Sequence, residues 1–307
     1  MIIDLHSDTI YALWDRNDNE TLSENSLSVN TESIRCAGAV QCLALFNPLK
    51  RDDGLTAWQR VNALHDRFVS EVGKAGLPIS DDSIKEGSVI LTTEEGGSIE
   101  GRIERLETLK DWGVRIFGLT WNYENELAYP NSKDSDAMQK GLKAKGIEAV
   151  KECNRLGIAL DVSHLSDGGV RDVARYSSSP FFATHSNCRA IMDVPSNLPD
   201  DLIRLIADKG GAIGLNFCPS FLSSFKDGEE HASRIDDMVR HVMHLYTTGG
   251  EDVLAIGSDF DGISGKLEIA HPDQMTLLFD ALSKKGLSPR TIDKMTHENA
   301  IRVFIGA

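Results

Sequence analysis

The residues of this chain that could do chemistry begin almost at once, in Met1-Ile2-Ile3-Asp4-Leu5-His6-Ser7-Asp8. An apolar strand start runs directly into His-x-Asp, and side chains two apart on a strand point to the same side. His6 and Asp8 can therefore reach one divalent metal from the strand's C-terminal end. Imidazole nitrogen with carboxylate oxygen suits zinc or a similar first-row metal. Alone the pattern is weak. It gains force from further polar clusters that also follow short apolar segments: Glu94-Glu95-Gly96-Gly97, Asp161-Val162-Ser163-His164, Thr184-His185-Ser186-Asn187 and Gly257-Ser258-Asp259-Phe260-Asp261-Gly262. Each has a mundane reading. His164 could be a cap or core histidine, Asp259 a turn residue and Glu95 an exposed carboxylate. Packing does not explain why all of them follow strand-like segments.

The set implies hydrolytic chemistry. Two metals ~3.5–4 Å apart need a carboxylate that gives one oxygen to each, and water held between them loses its proton near neutral pH. Glu95 is the expected bridge. A carboxylate outside the ligand set can carry the proton to the leaving group, and Asp259 is the expected shuttle.

Such a constellation must be positioned by elements whose ends converge. Strand-like segments are read at Ile2–Leu5, Ala39–Phe46, Ser88–Thr92, Ile116–Leu119, Ile158–Asp161, Phe181–Thr184, Ala212–Asn216 and Val253–Gly257. Amphipathic helical patterns lie between them, at Thr56–Lys74, Gly101–Trp112, Ala137–Leu156, Asp167–Tyr176, Pro199–Lys209, Arg234–Thr248 and Asp273–Lys285. Alternation of this kind over 307 residues predicts a single domain, residues 1–307, folded as an α/β (β/α)8 TIM-like barrel, which the ligand set above would make one of the metal-dependent hydrolase type. In that fold the C-terminal strand ends share one mouth. An open doubly wound sheet is the alternative, but no Gly-x-Gly-x-x-Gly follows the first strand.

A formal net charge of -15 with no basic stripe excludes nucleic acid as a partner. Five cysteines, Cys36, Cys42, Cys153, Cys188 and Cys218, form no C-x-x-C pair and read as reduced thiols. No apolar run is long enough to span a membrane. The first residues enter a strand directly and the last lack a hydrophobic tail, so a cytoplasmic protein is expected. The composition is compatible with a homodimer.

In these motifs, together with Leu119-Thr120-Trp121-Asn122, His185-Ser186-Asn187-Cys188-Arg189-Ala190, Gly214-Leu215-Asn216-Phe217 and Glu298-Asn299-Ala300-Ile301-Arg302-Val303-Phe304, the chain resembles the membrane (renal) dipeptidases, peptidase family M19. The resemblance runs over essentially the whole length. It implies a binuclear metallopeptidase with two zinc ions per chain, other divalent metals being open, and a small dipeptide as substrate. It places His6, Asp8 and Glu95 on the first zinc, Glu95, His164 and His185 on the second, and makes Asp259 the catalytic acid/base. A dipeptide with a D-residue at its C-terminal position is within the substrate class it implies.

Two departures concern the substrate. The animal enzymes carry a histidine after the Leu-Thr of the fourth strand, where this chain has Trp121 followed by Asn122. Family members usually carry a carboxylate-gripping arginine just before Asn-Leu-x-Asp, where this chain has Ser196. Trp121 and Asn122 are expected to line the pocket, and Arg189 is the nearby cation that could replace the missing clamp. The Ser196 departure keeps open a related amide or lactam hydrolase whose substrate lacks a free C-terminal carboxylate. A non-catalytic barrel that holds zinc is the reading from a different class.

Overall fold

Mostly apolar segments of two to eight residues, buried on both faces, are the staves of this fold. The computed structural model describes residues 1–16, 19–81, 83–226 and 228–307; Asn17, Asp18, Asp82 and Asp227 lie outside the described residues. The strands are β1 (Ile2–Asp4), β2 (Ala39–Phe46), β3 (Ser88–Glu94), β4 (Ile116–Gly118), β5 (Ala159–Asp161), β6 (Phe182–Ala183), β7 (Ala212–Leu215), β8 (Ala232–Ser233), β9 (Leu254–Ile256) and β10 (Lys266–Leu267). A closed barrel runs β1-β2-β3-β4-β5-β6-β7-β9, with every pair parallel and β9 returning to β1 through Ile256 and Asp4. The expected eight-stranded barrel is therefore the fold. β8 and β10 form a separate parallel pair that the sequence reading did not anticipate.

Period-two alternation divides each strand between two cores. Ile3, Val40, Ile90, Ile116, Ala159, Phe182, Ala212 and Ala255 fill the barrel interior. Ala300, Val303 and Phe304, from the C-terminal helix Asn299–Gly306, pack against that interior cluster. The Phe304 ring meets Phe182 at 5.1 Å. These partners sit toward the strands' N-terminal ends, so this helix plugs the end of the barrel opposite the mouth. The alternate residues, such as Leu43, Leu91, Phe117, Leu160 and Ile213, join the outer layer beneath the helices.

Helix entries follow local chemistry. Ser166 accepts a hydrogen bond from the Gly169 N–H and opens the helix Asp167–Tyr176. Thr56 and Gln59 form a reciprocal capping box at the start of Ala57–Ala75. The expected helix over residues 137–156 is two pieces, Ser135–Met138 and Ala144–Leu156. The Asp172 carboxylate takes the Leu142 N–H at 2.8 Å, which fixes the break.

The helix Ile235–Gly249 carries His241, fully buried. Its Nδ1 accepts from the Cys188 N–H at 3.1 Å, so Nε2 bears the proton and donates to the Leu222 carbonyl at 2.9 Å. The ring thereby ties the loops after β6 and β7 to one helix. Burial pushes its pKa down to about 4. An unfolded imidazole titrates near 6.5. Between about 6.5 and about 4 the unfolded chain therefore takes up a proton that the folded one refuses, and stability is lost as pH falls through that window. The loss from this group is on the order of 3 kcal/mol. Thermal unfolding should show a steeper pH dependence in this protein than in His241→Gln, although the variant is less stable at neutral pH. Parallel slopes would remove His241 from the account.

Candidate metal centre

The carboxylate at the centre of the barrel mouth is Glu94. β3 runs two residues further than the sequence reading placed it, and its pairing with β2 ends with Phe46 opposite Glu94. Ile90 faces the interior, so Thr92 and Glu94 follow on the same side. Glu94 Oε2 lies 3.3 Å from His6 Nε2, and Oε1 lies 3.2 Å from His164 Nε2 and 3.8 Å from His185 Nε2. The ligating atoms of His6, Glu94 and His185 lie within 4.8 Å of one another, as do those of His6, Asp8 and Asp259. His164 and His185 face each other, Nε2 to Nε2, at 2.9 Å. The structure thus brings together His6, Asp8, His164, His185 and Asp259, all anticipated, around a carboxylate that was not.

Glu95, expected as the bridge, does not join this group. Its Oε1 accepts from the Gly97 N–H and from Asn125 Nδ2, and its Oε2 accepts from the Trp121 N–H. The reason lies in the backbone: β3 ends at Glu94, and Glu95, at φ 87°, turns its carboxylate to the Gly97, Asn125 and Trp121 donors instead. Nor is it the exposed carboxylate of the mundane reading, since none of its surface is accessible.

The groups behind the site set ring orientation. The Thr184 hydroxyl donates to Asp161 Oδ2 at 2.6 Å, so its lone pair is left to accept from His185 Nδ1 at 2.8 Å. Asp161 Oδ1 is occupied by the N–H groups of Ser163 and Thr184. This chain selects the His185 tautomer that turns a bare Nε2 into the mouth. Asp4 plays the corresponding part under β9, accepting from both the N–H and the hydroxyl of Ser258.

Backbone strain gathers here as well. His164 (φ 63°), Asp259 (φ 63°), Asp261 (φ 69°) and Glu95 (φ 87°) are all left-handed without being glycine. Each such residue costs about 1–3 kcal/mol and persists only where its surroundings enforce it. Gly262 is required by close approach: a Cβ there would stand 2.1 Å from Asp8 Oδ2 and 2.8 Å from Asp259 Oδ1.

Burial of so many ionisable groups shifts them in both directions. Burial alone would depress His6, but the Glu94 carboxylate, with Asp8, overrides it and holds the imidazole well above its ordinary value. His164 is likewise raised, burial being outweighed by Glu94. His185 is pushed well down by burial and by the two neighbouring histidines. Burial, with the Asp8 and Glu94 charges, lifts Asp259 to about 7 despite His6. Metal fits this arrangement on the donor atoms themselves. Two of them, His6 Nε2 and Asp8 Oδ1, are buried without a hydrogen-bond partner. Polar atoms in that condition are rare in a protein interior, and a mixed nitrogen and carboxylate set suits zinc or a similar cation.

A cavity of about 310 Å3 opens over these groups. Asp8, Glu94, His164 and Asp259 form its floor, and Tyr11, Phe46, Trp121, Asn122, Cys218, Phe221 and Ile263 are among its walls. Trp121 and Asn122 are thus where the sequence placed them. Trp121 packs edge-on against Phe46 with ring centres 4.8 Å apart. Arg189 and Ser196 are not among the lining residues. The Arg189 guanidinium is held by both oxygens of Asp167, at 2.7 and 2.9 Å, and also donates to the Asn197 and Pro195 carbonyls. It is therefore committed to joining two loops and is not free to clamp a substrate. Ser196 stands behind the site, its Oγ 3.4 Å from Asn131 Nδ2, while the Asn131 N–H donates to the His164 carbonyl. No lysine or arginine occurs among the described residues that line the cavity. Asn216 was missed: its Nδ2 donates to Asp259 Oδ2 at 2.9 Å, leaving Oδ1 to face the metal-side groups. It lies at the end of β7, the same placement that singled out the other site residues.

Comparison with known proteins agrees with this geometry. The family model described as membrane dipeptidase (peptidase family M19) matches residues 1–307. An uncharacterized Klebsiella pneumoniae protein from the pqqA 5' region is 32% identical over 260 residues, 80% of this chain and 94% of that one. An uncharacterized dipeptidase of Schizosaccharomyces pombe is 32% identical over 212 residues; the match takes in 67% of this chain and 50% of that longer relative. The crystal structure of a dipeptidase AC, a metallopeptidase of family M19, superposes with a TM-score of 0.86 at 27% identity, over 99% of this chain and 98% of that one. A Rhodobacter sphaeroides metallopeptidase, solved with a phosphinate mimic of the dipeptide L-Ala-D-Ala, gives 0.84 at 25% identity over 99% and 98%.

The two adjacent glutamates are separable by metal analysis. Glu94→Gln should leave the folded protein with less bound metal after reconstitution with zinc, because a neutral amide is a poorer metal ligand than a carboxylate. A full metal complement in Glu94→Gln would contradict its central placement.

Proposed function

Since the chain belongs to the membrane dipeptidase family, peptidase family M19, we propose that it is a zinc-dependent dipeptidase that hydrolyses the single peptide bond of a small dipeptide. The observation that carries the reading is the convergence of His6, Asp8, Glu94, His164 and His185, with Asp259 across the cavity from them. His6 and Asp8 would hold one zinc, His164 and His185 the other, and Glu94 both. When bound, such a pair of cations polarises a carbonyl and lowers the pKa of water. The chain's own residues do the rest. The Asp161–Thr184–His185 chain keeps one imidazole neutral and correctly turned. Asn216 holds one Asp259 oxygen, so the other can take a proton from water and return it to the departing amine. The aromatic wall of Tyr11, Phe46 and Trp121 limits the substrate to a small molecule. The phosphinate complex of the Rhodobacter sphaeroides relative supports dipeptides with a D-residue at the C-terminal position as the first substrates to assay.

Asp259→Asn should retain the metals and lose roughly 10²–10⁴-fold in turnover, the usual contribution of a general acid or base. Metal analysis and steady-state kinetics on one preparation check both halves. Full activity in that variant would withdraw the assignment.

A second reading is favoured by the absence of a cation from the described cavity lining and by the capture of Arg189 by Asp167. The substrate would then be an amide or lactam without a free C-terminal carboxylate. A carboxylate held by arginine gains ~1.5–3 kcal/mol, roughly 10–150-fold in affinity. Without that clamp, kcat/KM for a dipeptide and for its C-terminal amide should agree within about tenfold, and Ser196→Arg should shift preference toward the acid. An acid preference above about a hundredfold in the unaltered protein would mean that another group supplies the clamp.

A further inference from the structure

Glu95 is built into the site without touching the metal-side groups. Its carboxylate takes three hydrogen bonds, from the Gly97 N–H at 2.7 Å, from Asn125 Nδ2 at 2.6 Å and from the Trp121 N–H at 3.0 Å. Asn125 extends the reach of that carboxylate. Its Nδ2 also donates to the Leu119 carbonyl, and its Oδ1 accepts from the N–H groups of Leu127 and Ala128. One carboxylate and one amide thus organise the backbone of the loop after β4 at both of its ends. That loop presents Trp121 and Asn122 to the cavity. The Trp121 ring stands 6.4 Å from the His164 ring and is flanked by Phe46 and Tyr123.

The packing is tight and strained. Glu95 is left-handed at φ 87°, which a non-glycine residue adopts only when the surroundings enforce it. A Cβ on Gly97 would come within 2.8 Å of Glu95 Oε1. The Glu-Gly-Gly run is therefore a seat for a buried carboxylate. The carboxylate's three neighbours all donate and none accepts, so the seat fits an acceptor-only carboxylate, and such hydrogen bonds are well suited to fix a loop.

We propose that Glu95 is a positioning residue that sets substrate specificity by holding Trp121 and Asn122 as the cavity wall beside His164. It acts through the loop and not through the metals. The kinetic part of the test rests on the dipeptidase reading; the spectroscopic part does not.

The test uses the zinc-loaded protein, Glu95→Gln, Trp121→Ala and the double variant. Glu95→Gln should keep the full metal complement. It should raise KM for a cleaved dipeptide on the order of tenfold, the effect of one weakened hydrogen bond to a charged group, while kcat changes by less than about threefold. The double variant should be no worse in KM than Trp121→Ala alone, because Glu95 works through Trp121. Acrylamide quenching of Trp121 emission, isolated as the difference from a Trp121→Phe background, should increase in Glu95→Gln. If Glu95→Gln does not fold, Glu95→Gly, which relieves the positive φ, takes its place. Loss of a metal equivalent would make Glu95 a ligand and overturn the proposal. Multiplying KM effects, or a fall in kcat at constant KM, would overturn it too. Should no dipeptide be cleaved, the dipeptidase reading fails, and the quenching result alone decides: greater exposure of Trp121 supports the proposal and unchanged exposure ends it.

Discussion

Everything at the mouth of this barrel depends on one carboxylate that has been taken out of water. Glu94 is buried between His6, His164 and His185. An isolated buried carboxylate would neutralise itself by binding a proton. Here, although burial works against it, His6 and His164 hold it well below its ordinary value. Its charge is therefore kept, and the surrounding donors are arranged to share it. An imidazole must be neutral to ligate, so a cation entering this site would displace the protons that Glu94 favours on His6 and His164.

The rest of the fold can be understood as the means of holding those donors still. The barrel closes, so no strand edge is left to slip. The C-terminal helix fills the far end of the barrel interior with Val303 and Phe304, and the polar donors gather at the mouth. Three buried carboxylates behind the site, Asp4, Asp161 and Glu95, spend their hydrogen-bonding capacity on backbone N–H groups and hydroxyls of the neighbouring loops. Left-handed backbone at His164, Asp259 and Asp261 then becomes tolerable. Strain of this kind is concentrated where side-chain direction matters and offset by packing elsewhere.

The cavity is built from two kinds of residue. The floor of the cavity is acidic and imidazole-bearing, whereas its walls are aromatic, with Tyr11, Phe46, Trp121 and Phe221 closing round a volume of about 310 Å3. That is the small end of the usual range for ligand sites. The one arginine that the sequence offers nearby is neutralised by Asp167 before it can reach the cavity. For the proposed dipeptidase, recognition of the substrate's far end would fall to shape and to neutral polar groups such as Asn122.

The amino-acid sequence by itself determined the barrel, the alternation of its elements and five of the six groups at its mouth. Those features are local: an apolar run, a cap such as Ser166 and a His-x-Asp at a strand end each declare themselves within a few residues. Even so, β1 is complete at Asp4, so His6 and Asp8 meet through the turn that follows and not as strand neighbours. Only the tertiary structure decided between Glu94 and Glu95. A strand buried on both faces does not alternate apolar with polar residues, and β3 follows Val-Ile-Leu with Thr-Thr-Glu, so its sequence does not reveal which parity faces inward; the register of β3 against β2, and the Ile90 contacts inside the barrel, do. The same holds for Arg189. Its charge is plain in the sequence, but its pairing with Asp167, 22 residues away, is made by two loops that meet only when the barrel closes.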